Sequence, residues 1–241
     1  MPPLKGNICI ELFSMPSRNI VKVYVAGGYY HIYNRGIDKR TIFEDEMDFK
    51  TFLKYLKEAL SEPPDPNKSK VTFTLKGGTF KGLPRPVKNF VNNIKLVAYC
   101  LMPNHFHLLV EQNGEMDINW FMQSITTRYS MYFNKKHNRV GKLFQGHYKA
   151  VLVNDENYLL HLSRYIHLNP SEYTNDLENT YSSYSEYLGK RKTKWIKPQV
   201  ILSFFKNVNK DFMQGINTYK NFVEKSRADS GLILGNLTLE A

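Results

Sequence analysis

The stretch from residue 94 to residue 112 constrains the fold most, because it predicts a β-hairpin with two histidines on one strand. An apolar run over residues 96–101 is followed by a Met-Pro-Asn turn and by a second strand that begins at His105. Alternate residues of a strand face the same side, so His105 and His107 project together and Phe106 faces away. Two imidazoles side by side on a rigid strand indicate a divalent metal site more readily than core packing.

Two histidines are too few to hold a metal, and the segment from Ser163 to Pro170 offers a third ligand. Tyr165 and Asn169 are four residues apart, so on a helix they share a face that carries a phenol and an amide oxygen. Pro170 disfavours helical dihedrals at Asn169, which leaves open that Asn169 is a C-terminal cap residue. His161, one turn before Tyr165, is an alternative ligand or a surface residue and ranks below Asn169. Taken alone, the segment is typical of an ordinary amphipathic helix.

Charge indicates the kind of partner. The 241 residues carry a formal net charge of +11, and the interval 120–154 contains no Asp or Glu. Cations neutralise phosphates and aromatic rings stack on bases, so this acid-free interval favours nucleic acid over a merely basic protein with solvated lysines. A second acid-free run covers residues 66–110, and the chain has a third basic cluster at Lys190, Arg191, Lys192 and Lys194.

Cysteine usage and hydropathy bound the location of the protein. Cys9 and Cys100 are the two cysteines, without the spacing of a thiolate metal site or a disulfide framework. No apolar run approaches the roughly 20 residues that span a bilayer. The N-terminus lacks a signal-peptide pattern, because Glu11 interrupts the short apolar stretch. We therefore expect a cytoplasmic protein with no membrane partner.

The order of predicted elements indicates the fold class. It begins with a strand over 29–33, a helix that Asp45 caps and an inserted hairpin or loop over 67–92. The histidine hairpin, a helix over 117–136 and a strand over 147–153 follow. This order predicts an α+β fold with a ferredoxin-like β-α-β-β-α-β core, an antiparallel sheet and helices on one face. After the core come the helix that carries Tyr165, capped by Asn154 or Asp155, and a small helical C-terminal extension.

Several motifs together resemble one family. The segment from Met102 to Val110 resembles the HUH motif of the single-tyrosine transposases, in which an apolar residue, here Phe106, separates the two histidines. Tyr165-Ile166-His167-Leu168-Asn169-Pro170 resembles their tyrosine helix. Weaker matches at 33–36, 42–43, 141–146, 181–184 and 219–223 extend the resemblance over about residues 28–225, to the REP-associated tyrosine transposases.

The resemblance implies an activity and a site. It implies cleavage and rejoining of single-stranded DNA next to hairpins, with Tyr165 as the nucleophile of a 5′-phosphotyrosine intermediate. His105, His107 and Asn169 would hold Mg or Mn. It also implies the domain plan: an N-terminal extension over 1–22, the transposase domain over 23–170 with an insertion at about 62–93, and a mainly helical extension over 171–241. The chain departs from the family at His147, where relatives carry Arg, and at Ser171-Glu172.

The expected partner is single-stranded or hairpin DNA, and two rival functions stay open. One is a domesticated hairpin-binding protein that no longer cuts; the other is a phosphodiesterase that uses a metal-bound water and in which Tyr165 is structural. We favour a monomer with the site formed in cis over a homodimer that exchanges the tyrosine helix. The predicted DNA contacts are Arg35, Arg128, Lys135, Lys136, Arg139, Lys142, His147, Tyr148 and Lys149.

Overall fold

The structure is a computed structural model, and it describes residues 24–63, 65, 70–83, 86–206 and 218–225. The predicted extension over 1–22 lies outside the described residues, and the boundaries of the three predicted regions stay predictions. In chain order the helices and strands are β1 (Tyr29–Arg35), α1 (Glu46–Leu60), β2 (Val71–Leu75), β3 (Gly78–Gly82), β4 (Ile94–Met102), β5 (His105–Gln112), α2 (Asp117–Lys136), β6 (Lys149–Val153), α3 (Glu156–Leu168), α4 (Tyr184–Tyr187), α5 (Gln199–Leu202) and α6 (Tyr219–Lys225).

Four strands form the main sheet in the order β4-β5-β1-β6, and all neighbours run antiparallel. The register places Tyr33 of β1 opposite His107 of β5, and Arg35 opposite His105. Because paired residues of an antiparallel sheet point to the same face, this register decides which β1 side chains join the histidines. The α+β fold class is confirmed, with the predicted antiparallel sheet and the predicted β-α-β-β-α-β order of elements in the core.

Helices α1 and α2 cover one face of the sheet. Side chains of α1, α2 and alternate strand residues form one continuous apolar cluster in which Phe52, Phe106 and Phe121 are fully buried. Asp45 caps α1, as expected, and accepts a hydrogen bond from the backbone N–H of Asp48. The long helix predicted over 117–136 is present with these bounds.

Helix α3 covers the opposite face. Asp155 caps it by accepting hydrogen bonds from two backbone N–H groups, and Leu159, Leu162 and Ile166 bury its apolar side against the sheet. The short helices of the C-terminal region complete this second cluster, with Tyr219 and Phe222 of α6 among its buried residues. The sheet is therefore a middle layer between two helical layers.

The insertion forms a hairpin of its own. Strands β2 and β3 pair only with each other, from Val71 opposite Gly82 to Leu75 opposite Gly78, and their side chains are mostly exposed. A hairpin of two strands has little core of its own, so it contributes little to the packing of the domain. None of the helices in the described residues has the length and apolar character needed to cross a membrane.

Candidate active site

His105 and His107 begin strand β5, on the face that α3 covers. His107 is fully buried and His105 is 9 % exposed, and their rings meet edge to face with centroids 4.9 Å apart. Phe106 points into the opposite cluster, where it packs against Phe52 at 5.3 Å. The predicted alternation is confirmed, because one strand sends its aromatic ring to the core and its imidazoles to the site.

Each imidazole uses its Nδ1 atom within the protein. His105 Nδ1 lies 2.6 Å from Asn104 Oδ1, and His107 Nδ1 lies 2.9 Å from His31 Nε2. The Nε2 atoms of both histidines are buried without a hydrogen-bond partner among the described residues. A buried polar atom without a partner costs free energy, whereas a metal-binding histidine characteristically has its second nitrogen held by a neighbour. The pair thus fits two Nε2 ligands of one divalent ion.

Burial keeps both imidazoles neutral. Desolvation lowers the pKa of His105 to about 4, the Arg35 charge acts in the same direction, and Asn169 opposes them. Burial lowers the pKa of His107 well below its usual value, and the neighbouring His31 and His105 contribute. Only the neutral ring has a lone pair for a metal, so protons do not compete for this site near neutral pH.

Tyr165 lies across the histidine pair. Its ring stands edge-on to the His107 ring at a centroid distance of 5.4 Å, and edge-on to His31 at 6.1 Å. The residue is partly exposed. Helix α3 therefore packs over the histidine hairpin.

Asn169 lies one turn after Tyr165 and keeps helical dihedrals, with φ −46° and ψ −44°. It is the C-terminal cap residue of α3, which is the alternative that the sequence left open, and Pro170 follows within a 3-10 turn over Asn169–Glu172 at a position that requires no N–H donor. The Asn169 amide donates from Nδ2 to the Tyr165 carbonyl oxygen at 2.8 Å. Its side chain also raises the pKa of His105, so the amide lies beside that imidazole.

Asn169 stays the predicted third ligand. In the part of the chain that the structure describes, no three His, Cys, Asp or Glu side chains form a metal-binding group. His161 is 7 % exposed and packs edge-on against Phe222 of α6 at 5.4 Å. It packs in the contact between α3 and α6, so it is not a surface residue, and its role as a ligand stays a prediction that ranks below Asn169. An amide oxygen suits Mg or Mn, and imidazole suits Mn.

Four of the predicted DNA contacts line two neighbouring cavities. Arg35 and Lys149 share the face of the histidine pair through the strand register, and Lys149 Nζ is 5.6 Å from the centroid of the Tyr33 ring. Together with His147 they line a cavity of about 250 Å³ at the end of β1. Lys142 and His147 line a neighbouring cavity of about 460 Å³ against α2. Arg35 and Lys149 therefore provide the positive charge next to the histidines.

Three other predicted DNA contacts have different partners. Arg128 pairs with Glu58 and stacks over Tyr55, and Lys136 pairs with two carboxylates at the start of α1. The acid-free interval is thus neutralised from another element, because the partners are about 70 to 90 residues away in sequence. Tyr148 is 9 % exposed and donates its hydroxyl to Asn119. These placements argue against stacking by Tyr148 and against phosphate contact by the two cations.

The last two predicted contacts lie at the end of α2, and no observation assigns them to the site. Lys135 is exposed, and the guanidinium of Arg139 lies 5.8 Å from the centroid of the Phe133 ring. Their contact with DNA stays a prediction.

Two site residues escape a reading of the sequence. His31 holds Nδ1 of His107, and Tyr33 lies 6.0 Å from the same ring, both on β1. The sequence predicts a strand on which these two residues alternate. Their position beside His107, however, depends on the register between β1 and β5, which are about 75 residues apart. A pairing of β1 with the histidine strand is the one signal that would have found them.

Comparison with known families agrees with this geometry. Residues 88–169 match the family model for IS200-like transposases. The matched segment runs through β4, β5, α2, β6 and α3, so it contains both histidines and ends at Asn169. The predicted resemblance to a transposase family is confirmed over this segment. The chain matches no curated protein sequence.

Solved structures support the fold. A REP-associated tyrosine transposase bound to a REP hairpin superposes with a TM-score of 0.51 at 10 % identity, over 75 % of this chain and 98 % of that one. A protein from Deinococcus radiodurans R1, proposed to be a transposase, gives a TM-score of 0.35 at 16 % identity, over 62 % of this chain and 95 % of that one. The first likeness shows that the two chains share a fold.

Proposed function

We propose that the protein is a metal-dependent DNA endonuclease and strand transferase that forms a 5′-phosphotyrosine intermediate next to DNA hairpins. One observation carries the proposal. The Tyr165 ring stands 5.4 Å from the His107 ring, beside two buried imidazole Nε2 atoms without partners among the described residues. A candidate nucleophile, two candidate metal-ligand atoms and an amide side chain thus lie close together. A transposase bound to a REP hairpin shares the fold, which supports hairpin DNA as the substrate.

Each residue has a defined role in this reaction. His105, His107 and Asn169 would hold Mg or Mn, and the chemistry supplied there is polarisation of the scissile phosphate and stabilisation of its developing charge. The Tyr165 oxygen forms a bond to phosphorus while the bond from phosphorus to the 3′ oxygen breaks. The phenol proton is lost and the released 3′ oxygen gains a proton, so the step balances. The new ester conserves the bond energy, which allows a second strand to be joined without ATP.

The approach to the site is positive where a phosphate must come close. Arg35 lies opposite His105 in the sheet, and Lys149 lies opposite Tyr33. Cations within the reach of a scissile phosphate position the backbone and favour the more negative transition state. His147 lies on the same cavity, at the position where relatives commonly carry Arg, so we expect a weaker phosphate contact there than an arginine would make.

The test is formation of a covalent complex. A 5′- or 3′-labelled hairpin oligonucleotide with a single-stranded flank is incubated with the protein, with and without Mn, and resolved under denaturing conditions. We expect a metal-dependent protein–DNA band on the fragment that carries the 5′ phosphate. Tyr165→Phe abolishes the band and leaves hairpin binding largely intact. Tyr158→Phe is the matched control, because Tyr158 is an exposed tyrosine on the same helix.

The rival functions are outcomes of the same experiment. Hairpin DNA that is bound but never cut, with the native chain and Mn at any tested concentration, identifies a binding protein. Cleavage that survives Tyr165→Phe and yields no covalent band identifies a phosphodiesterase that uses a metal-bound water. Either result contradicts the tyrosine mechanism.

A further inference from the structure

A second basic cavity lies on the other face of the sheet. It has a volume of about 480 Å³ and is formed by helix α1 and by the loop over residues 190–195. Lys57 lines it from the helix, and Lys192 and Lys194 line it from the loop. Tyr99, at its floor, belongs to the cluster under α1 and α2, whereas the histidines lie under α3. The cavity is therefore separate from the proposed cleavage site.

The loop is held in place by the edge of the sheet. Trp195 stacks on Tyr99 with ring centroids 6.1 Å apart and an interplanar angle of 23°. Ile196 is buried and bridges to Leu96 of β4, and the Lys197 backbone N–H donates to the Leu96 carbonyl oxygen at 2.8 Å. The lysines of the loop therefore lie on a backbone that is already ordered. A ligand that binds them does not lose free energy to the ordering of the loop.

The one carboxylate of the cavity is already neutralised. Glu186 has a side chain only 3 % exposed, and it accepts hydrogen bonds from Arg191 at 2.7 Å and from the Thr193 hydroxyl at 2.6 Å. Lys57, Lys192 and Lys194 are exposed and form no ion pair within the described residues. The cavity therefore presents three positive charges that lack a counter-charge from the protein.

Three other exposed lysines are paired. Lys50 pairs with Glu46 at 2.8 Å, Lys54 with Glu58 at 3.9 Å, and Lys220 with Glu178 at 3.0 Å. The cavity lysines differ from these three because they lie together at one concave surface without a carboxylate partner among the described residues. Concave surfaces that carry charges of one sign focus the field and attract a polyanion.

We propose that this cavity binds nucleic-acid phosphates, as a second contact away from the cleavage site. Lysine is a point charge that suits phosphate oxygens without regard to base sequence, so the contact supplies affinity and position instead of specificity. Its ligand is the backbone of either the duplex stem or the single-stranded flank of a hairpin. The proposal does not depend on catalysis, because a protein that only binds hairpins would use the same surface.

The test compares two triple variants of equal charge change. Lys57→Ala/Lys192→Ala/Lys194→Ala removes the unpaired lysines, and Lys50→Ala/Lys54→Ala/Lys220→Ala removes paired ones. Thermal unfolding first confirms that both fold. Fluorescence anisotropy then measures affinity against salt for a full hairpin, for its flank alone and for its stem alone. If each lysine meets one phosphate, the log–log salt slope of the first variant becomes less steep by about 3, at about 0.9 per contact.

The arms identify the ligand and separate this proposal from the cleavage mechanism. A smaller slope on the stem arm assigns the cavity to duplex phosphates, and a smaller slope on the flank arm assigns it to the single strand; both support the proposal. Equal slopes for the two variants on all three DNAs overturn it. In the variant that lacks the cavity lysines, the yield of covalent complex per bound DNA should not change, because these lysines do not reach Tyr165. Loss of the band in native protein would instead contradict the tyrosine mechanism alone.

Discussion

The two faces of the sheet are built from the same strands but hold different chemistry. On the α1 and α2 face, Phe106 and its neighbours on alternate positions are fully buried in an apolar cluster. On the α3 face, His31, His105 and His107 meet in a group whose Nε2 atoms at 105 and 107 have no partner among the described residues. One residue of shift along the strand separates a packing role from a ligand role.

The apolar core therefore offsets the free energy that it costs to bury the polar side chains of the site. On the apolar face, burial alone stabilises the side chains. On the α3 face, burial of the imidazoles costs free energy unless a bound group pairs with them. The packing of α3 and of the C-terminal helices offsets this cost. In that packing, His167 forms hydrogen bonds with Tyr219 and Ser183. The comparison predicts that substitutions on one face act on stability, and those on the other act on metal and DNA.

Phe106→Ala should give the largest loss of stability. The ring is fully buried against Phe52 and Phe144, so its removal leaves a cavity and should lower the free energy of unfolding by about 3–5 kcal/mol. Urea unfolding followed by circular dichroism measures it. Under native conditions the folded variant should bind Mn as the native chain does. A weakened Mn affinity in fully folded Phe106→Ala would break the division between the faces.

His31→Ala should weaken metal binding without removing a ligand. His31 holds Nδ1 of His107 and so fixes the direction of its Nε2 atom. Loss of such an outer partner weakens metal affinity by about 10- to 100-fold. Calorimetric titration with Mn measures it, with His161→Ala as the control, because that buried imidazole faces Phe222. His31→Gln, which keeps an acceptor, should recover part of the affinity, and unchanged binding in His31→Ala would show that the contact is structural only.

Acid should destabilise the α3 face. Burial lowers the pKa of His167 to about 3 from an ordinary value of 6.5. As the pH falls from 6.5 towards 3, the unfolded chain binds the proton first, so the free energy of unfolding falls by up to about 1.4 kcal/mol per pH unit. Between pH 7 and pH 5 this amounts to about 2 kcal/mol. His167→Gln should lose less over the same interval, and an equal loss in both proteins would assign the acid sensitivity elsewhere.

Single cations should have the smallest effects, and these separate DNA contacts from internal ion pairs. Lys149→Ala removes a charge beside the histidines and should reduce the salt slope of hairpin binding by about 0.9. Arg128→Ala should leave that slope nearly unchanged, because Glu58 already neutralises Arg128. Anisotropy titrations at several salt concentrations measure both. A larger slope change for Arg128→Ala would restore it as a phosphate contact.

Local order was predictable from the sequence. The alternation around His105 and His107, the cap at Asp45 and the helix over 117–136 follow from short-range patterns, and the structure reproduces them. The meeting of Tyr165 with the histidines followed from the family resemblance, because nothing within either motif fixes the packing of α3. The resemblance therefore added the tertiary contact that periodicity does not contain.

Long-range partners were not predictable. The pairing of Arg128 with Glu58 and the role of His31 depend on contacts between elements about 70 residues apart. The burial of Tyr148 depends on the hydroxyl of Tyr24 and on Asn119, which lie outside its own segment. Charge counted along the sequence therefore overstated the free positive surface near α2, where carboxylates of α1 neutralise part of it.

Mass spectrometry of the covalent complex tests directly whether Tyr165 is the nucleophile. Trypsin releases a peptide over residues 165–190, with Tyr165 at its first position because Arg164 precedes it. Fragmentation distinguishes Tyr165 from the other tyrosines of that peptide. The account predicts a nucleotide phosphate on Tyr165 alone, formed only with Mn or Mg. A nucleotide on a different tyrosine, or turnover of hairpin DNA with no modified peptide, would contradict it.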